Sequence, residues 1–142
     1  MYRTEPGTAQ IAVVAFGAHV FGMDRSGRKA WHFDGTSIDS ALEWCRLIVT
    51  AEHVILGSRL EQALVCLSYA TGAKIWHVKP PLYADECLLV DGQHVFIGSG
   101  GEVACHSLAD GSLLWHEKFK GMGGGRMAIG FPGNVENFHL RD

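Results

Sequence analysis

No stretch of this 142-residue sequence approaches the roughly 18 consecutive apolar residues of a membrane span, which excludes a transmembrane helix. Clustered basic charge is also missing. The twelve Lys and Arg are scattered in a chain of net charge −3, so neither nucleic acid nor an anionic membrane surface is expected as a partner. The four cysteines, Cys45, Cys66, Cys87 and Cys105, form no C-x-x-C pair and no zinc-ligand spacing. They sit in apolar runs, where a thiol behaves as a small hydrophobe, and are read as reduced core thiols of a cytoplasmic protein. A secretory leader is not apparent: Arg3 precedes the apolar run 11–16, but Glu5 offsets its charge, and Gly17 and His19 interrupt the run. No G-x-S-x-G elbow, H-E-x-x-H pair or Walker-type loop occurs, so no catalytic, cofactor-binding or metal-ligating set is assigned.

What the sequence has in quantity is glycine, 18 residues, separating short runs of Val, Ile, Leu and aromatics. That is an all-β composition in one globular domain spanning 1–142. The runs repeat. Gly27, Gly72 and Gly111 each precede a Trp-His pair by four residues, giving Gly-x-x-x-Trp-His at Trp31, Trp76 and Trp115, with Trp spacings of 45 and 39. Glu52-His-Val-Ile-Leu-Gly-Ser58 also aligns with Gln93-His-Val-Phe-Ile-Gly-Ser99. Cys66 and Cys105 both stand six residues before the repeat glycine and so follow the same period.

In the third copy, strands are expected over 87–90, 95–99, 103–108 and 113–118, divided by Asp91-Gly92, Gly100-Gly101 and Asp110-Gly111. Four antiparallel strands per unit of about 40 residues describe a β-propeller blade. The glycine allows positive φ in the turn before the last strand, and the Trp supplies a flat surface for packing between neighbouring blades. The copies lie at about 10–34, 45–79, 86–119 and 126–142. Residues 127–140 match 95–108, the second and third strands of a fourth copy, and the first copy lacks a first strand, so the chain holds about three and a half blades.

The stretches ending at Trp31, Trp76 and Trp115, such as Leu67-Ser-Tyr-Ala-Thr-Gly-Ala-Lys-Ile-Trp76, resemble the tryptophan-docking motif of quinoprotein-like (PQQ-type) propellers. The resemblance implies the fold rather than an activity. That architecture serves quinone-dependent dehydrogenases, outer-membrane assembly factors and binding modules alike. The dehydrogenases close about eight blades in one longer chain, often with adjacent cysteines at the quinone, and this sequence has no adjacent cysteine pair.

Candidate sites are weighed on that frame. His32, His77, His116, His53 and His94 recur at equivalent places, where they diverge rather than converge on one ion; His19, His106 and His139 share no spacing. Asp24, Asp85 and Glu86 fall at solvated turns. The run Gly121-Met-Gly-Gly-Gly-Arg126 leads into a strand rather than a helix, so it is expected to be a connector and not a phosphate cradle. The irregular connections 34–44, 58–63, 80–85 and 120–126 should share one face, and Thr36 with Asp39 suggests a short helix running to Trp44. Trp44, outside the repeat, is left open between core filling and partner contact, with Arg59, Tyr83 and Arg126 as further partner-binding candidates. The expectation is a non-enzymatic propeller that self-associates as a head-to-tail homodimer of about eight blades and binds another protein. An inhibitor or immunity protein, and a small-ligand receptor or enzyme using the pore of the assembled ring, are the alternatives.

Overall fold

The computed structural model of the chain describes residues 10–137. These form thirteen strands in four antiparallel sheets that follow one another along the sequence. Unit one contains β1 (Ala12–Phe16), β2 (His19–Met23) and β3 (Lys29–Asp34). Unit two contains β4 (Trp44–Val49), β5 (His53–Ser58), β6 (Leu64–Ser68) and β7 (Lys74–Val78). Unit three contains β8 (Cys87–Asp91), β9 (His94–Ser99), β10 (Glu102–Ser107) and β11 (Leu113–Glu117). A last hairpin joins β12 (Ala128–Phe131) to β13 (Asn134–Asn137). Each sheet is a meander whose strands pair in sequence order, as tight turns between alternating strands require.

The strands expected in the third copy agree with those observed to within one residue at each end. The second strand connection of the last hairpin reproduces the two-residue turn of β9–β10: Phe131 pairs with Asn134 as Ser99 pairs with Glu102. In space, however, β12 and β13 both lie along β8, as β8 itself lies along β4. The hairpin therefore occupies the inner position of a fourth unit, although its sequence matches second and third strands. The end of the expected fourth copy, 138–142, which includes His139, lies outside the described residues.

The short helix expected to run to Trp44 does not form. Residues Gly35–Ser37 make a single 3-10 turn capped by Asp34, whose Oδ1 accepts from the Thr36 N–H at 2.9 Å. Asp39 instead accepts from the Ala41 N–H at 2.8 Å, and Trp44 opens β4. The reason is tertiary. The Trp44 backbone N–H donates to the Gly17 carbonyl and its indole N–H to the Ala18 carbonyl, 2.9 Å each, which fixes the segment in the seam between units one and two.

Three apolar seams hold the units face to face. Val20, Trp44, Val54, Leu56, Val65 and Leu67 fill the first, and Ile55, Cys66, Trp76, Leu88, Ile97 and Ala104 the second. Leu89, Phe96 and Cys105 form the third, covered by Ile129 and Phe131 of the last hairpin. The four thiols are free; Cys66 and Cys105 are buried in these seams, Cys87 is buried with its Sγ 3.3 Å from the Met127 carbonyl oxygen, and Cys45 is half-buried. Burial pushes the Cys66 thiol up to about 12 and, with help from Glu136 and Glu86, that of Cys87 up to about 11. Among the described residues no helix is long and apolar enough to cross a membrane.

Candidate interaction site

The repeat tryptophans work as docking groups between units. The Trp31 indole lies over Gly72, where a Cβ would stand 2.3 Å from its ring, and donates to the Tyr69 carbonyl at 3.0 Å. Trp76 lies over Gly111 in the same way, with a Cβ-to-ring distance of 2.4 Å, and donates to the Leu108 carbonyl at 2.8 Å. Both glycines have positive φ, 75° and 79°, so each is required twice, by its backbone conformation and by the ring resting on it.

The third pair is incomplete at both ends. Trp76 is 7% exposed but Trp115 is 48% exposed, since no described residue brings a glycine turn to its outer face. At the other end, Gly27 has the same positive φ, 91°, yet a Cβ there would meet nothing within 4 Å. An acceptor turn stands without a tryptophan, and a tryptophan stands without an acceptor turn.

The sheet face beside Gly27 tells the same story. Val14 pairs with Phe21 where Leu56 pairs with Val65 in unit two and Ile97 with Ala104 in unit three. These last four side chains are completely buried by the preceding unit, whereas Val14 is 42% exposed and Phe16 beside it 57%. Phe21 stacks on His32 with ring centroids 4.3 Å apart, and Lys29 Nζ lies 5.6 Å from the Phe21 centroid. The open face is thus aromatic with a basic margin. Next to it, Gln10, Ile11, Ala12, Met23, Asp24 and Arg25 enclose a hollow of about 190 Å³. Sequence reasoning missed Val14, Phe16 and Phe21 because their alternation is that of any half-buried strand.

Of the connections expected to share a face, 34–44 is joined to 58–63 and 58–63 to 80–85. The Arg59 N–H donates to the Glu43 carbonyl at 2.8 Å, Gln62 Nε2 to the Pro80 carbonyl at 3.0 Å, and Ser99 Oγ to Asp85 Oδ1 at 3.0 Å. Arg59, Tyr83 and Arg126 are exposed on these loops. So are Leu60 and Met122, which the sequence did not single out. Trp44 must be removed from the surface candidates: it is buried, with its N–H satisfied by Ala18, and its role is core filling. The glycine run is a connector into β12, packed so closely that a Cβ on Gly101 would lie 3.0 Å from the Gly123 carbonyl oxygen.

Titratable groups are dispersed. Among the described residues no three His, Cys, Asp or Glu side chains come together as a metal site would require. His116 Nε2 meets Glu102 Oε1 at 2.6 Å on the β10–β11 pair, and His19 Nδ1 meets His32 Nε2 at 3.0 Å on the open face. Asp24 is held below the usual carboxylate range, chiefly by the Ser26 hydroxyl 2.6 Å away and then by the Arg28 N–H, so it serves to fold its turn. Burial lowers the His106 pKa; its Nδ1–H donates to the Gly111 carbonyl at 2.8 Å while Nε2 is enclosed without a partner. That histidine braces the docking turn of unit three from within.

No family model matches the sequence, and no curated protein matches it. Solved structures do. BamB from Moraxella catarrhalis superposes with a TM-score of 0.61 at 18% identity, covering 78% of this chain and 34% of that one. Quinohemoprotein alcohol dehydrogenase from Comamonas testosteroni gives 0.58 at 21%, covering 76% and 19%. The computationally designed Ika4 protein gives 0.69 at 16%, covering 90% and 78%. The chain therefore spans about a third of BamB and a fifth of the dehydrogenase. At such identities the likeness is one of fold, and over its described residues the fold of this chain is that of consecutive β-propeller blades, similar to those of quinoprotein-type propellers.

Proposed function

We propose that the chain is a non-catalytic protein-interaction propeller that associates with itself head to tail and offers its irregular-loop face to a protein partner. The observation that carries the reading is the contrast between equivalent positions. Side chains buried at the seams within the chain are exposed at its two ends, Trp115 against Trp76 and Val14 against Ile97. Exposed apolar patches of this kind on an otherwise polar domain mark interaction surfaces. The two ends are different surfaces, so their association is heterologous and closes only as a ring. The loops support the second half of the reading, since Arg59, Tyr83 and Arg126 are exposed on them together with the apolar Leu60 and Met122, residue types found at partner-binding centres.

Light scattering of the purified chain tests self-association: the expected particle has twice the 15.5 kDa chain mass, and a folded species of single mass at micromolar concentration refutes it. For the loop face, wild type and the Arg59→Ala/Tyr83→Ala double variant are compared in pull-downs from the native host. Loss of a captured protein supports the assignment, and an unchanged set removes these loops as its site.

A further inference from the structure

Resting on that reading of self-association, we infer that the interface repeats the docking contact between units, with Trp115 of one copy seated on the Gly27 turn of the next. The chain already makes this contact twice within itself. Trp31 pairs across its sheet with Gly22, Trp76 with Cys66 and Trp115 with Cys105, so the three units have one register. The carbonyls that receive the indole N–H are those of Tyr69 and Leu108, each three residues beyond that paired position. In unit one the same step reaches Arg25, which lines the hollow beside Gly27. The acceptor thus has its glycine with positive φ, its carbonyl and an unfilled space.

The apolar faces are complementary as well. The last hairpin covers Leu89, Phe96 and Cys105 but leaves Leu113 and Trp115 exposed. At the other end Val14 and Phe16 stand exposed where the equivalent side chains of units two and three are buried by a preceding unit. Docking covers Trp115 of the first copy with the Val14, Phe16 and Phe21 face of the second. A second copy is the occupant the surfaces fit, because each end bears the half of the Trp-on-Gly contact that the other lacks.

Two variants and their mixture test the proposal. Trp115→Ala removes the donor, and Gly27→Asn keeps a residue tolerant of positive φ while placing a side chain where the indole would rest. Each alone is expected to weaken dimerisation roughly 30-fold or more, the effect of losing a central aromatic anchor, with an unchanged circular dichroism spectrum. Mixed in equal amounts, the variants regain one intact Trp115–Gly27 contact per pair, and dimer of twice 15.5 kDa returns. A wild-type dimer unaffected by either variant overturns the Trp115–Gly27 contact while leaving self-association standing, as does a mixture that stays monomeric. Wild type that is itself monomeric overturns the reading of self-association on which the proposal rests.

Discussion

Replacing Gly111 with Ala should be far more damaging than replacing Gly27 with Ala, although both glycines have positive φ, 79° and 91°. An L-residue in that region costs about 1–2 kcal/mol at either position. At Gly27 little else changes, since the new Cβ has no neighbour within 4 Å. At Gly111 the Cβ would sit 2.4 Å from the Trp76 ring, so an indole that is 7% exposed must be displaced. Displacement adds about 1–3 kcal/mol of overpacking strain and weakens the bond from the indole N–H to Leu108, itself worth about 1 kcal/mol. The expected loss is therefore about 3–6 kcal/mol at Gly111 against about 1–2 at Gly27. Urea denaturation followed by tryptophan fluorescence reads the difference. With m of about 1–3 kcal/mol per molar, 2 kcal/mol moves the midpoint by roughly 1 M. Both substitutions are made in the Trp115→Ala background, so that docking between copies does not add to the Gly27 effect. Equal losses at the two glycines would refute the assignment of Gly111 as a tryptophan-docking position.

Two further outcomes follow from buried groups. His106 has a folded pKa below the ordinary 6.5 because burial and an enclosed, unpartnered Nε2 disfavour the cation. Its contribution to stability is fully present above the unfolded value and is lost as pH falls from about 6.5 toward the folded value. His106→Gln should therefore flatten the stability profile in that window, measured by urea midpoints at successive pH values, and an unchanged slope would clear His106 of the effect. The thiols of Cys66 and Cys87, pushed up to about 12 and 11, should resist iodoacetamide at pH 8 in the native protein and react on unfolding, as read by mass spectrometry. Rapid native labelling of either would contradict its burial.

Much of the fold was legible in the sequence because a propeller blade is written in local terms. Asp91-Gly92, Gly100-Gly101 and Asp110-Gly111 fall at the observed strand breaks, and the Gly-x-x-x-Trp spacing places each ring on the strand after its glycine. The candidate surface was less legible. Trp44 has a side chain that suits a partner contact as well as a core, and only the Ala18 carbonyl facing its indole N–H decides for the core. Thr36 and Asp39 have the spacing of a helix start, yet Asp34 does the capping, and the chain turns into a strand because the seam holds Trp44.

The sequence by itself determined that this chain is an all-β repeat of tryptophan-docked blades. Those features depend on residue type and spacing along the chain, which hold for every copy alike. Only the tertiary structure decided that Trp76 is covered and Trp115 is not, or that Gly72 carries an indole and Gly27 none. Identical motifs acquire different exposures according to whether a neighbouring unit lies against them, and that neighbour is a matter of position in space which no local pattern encodes.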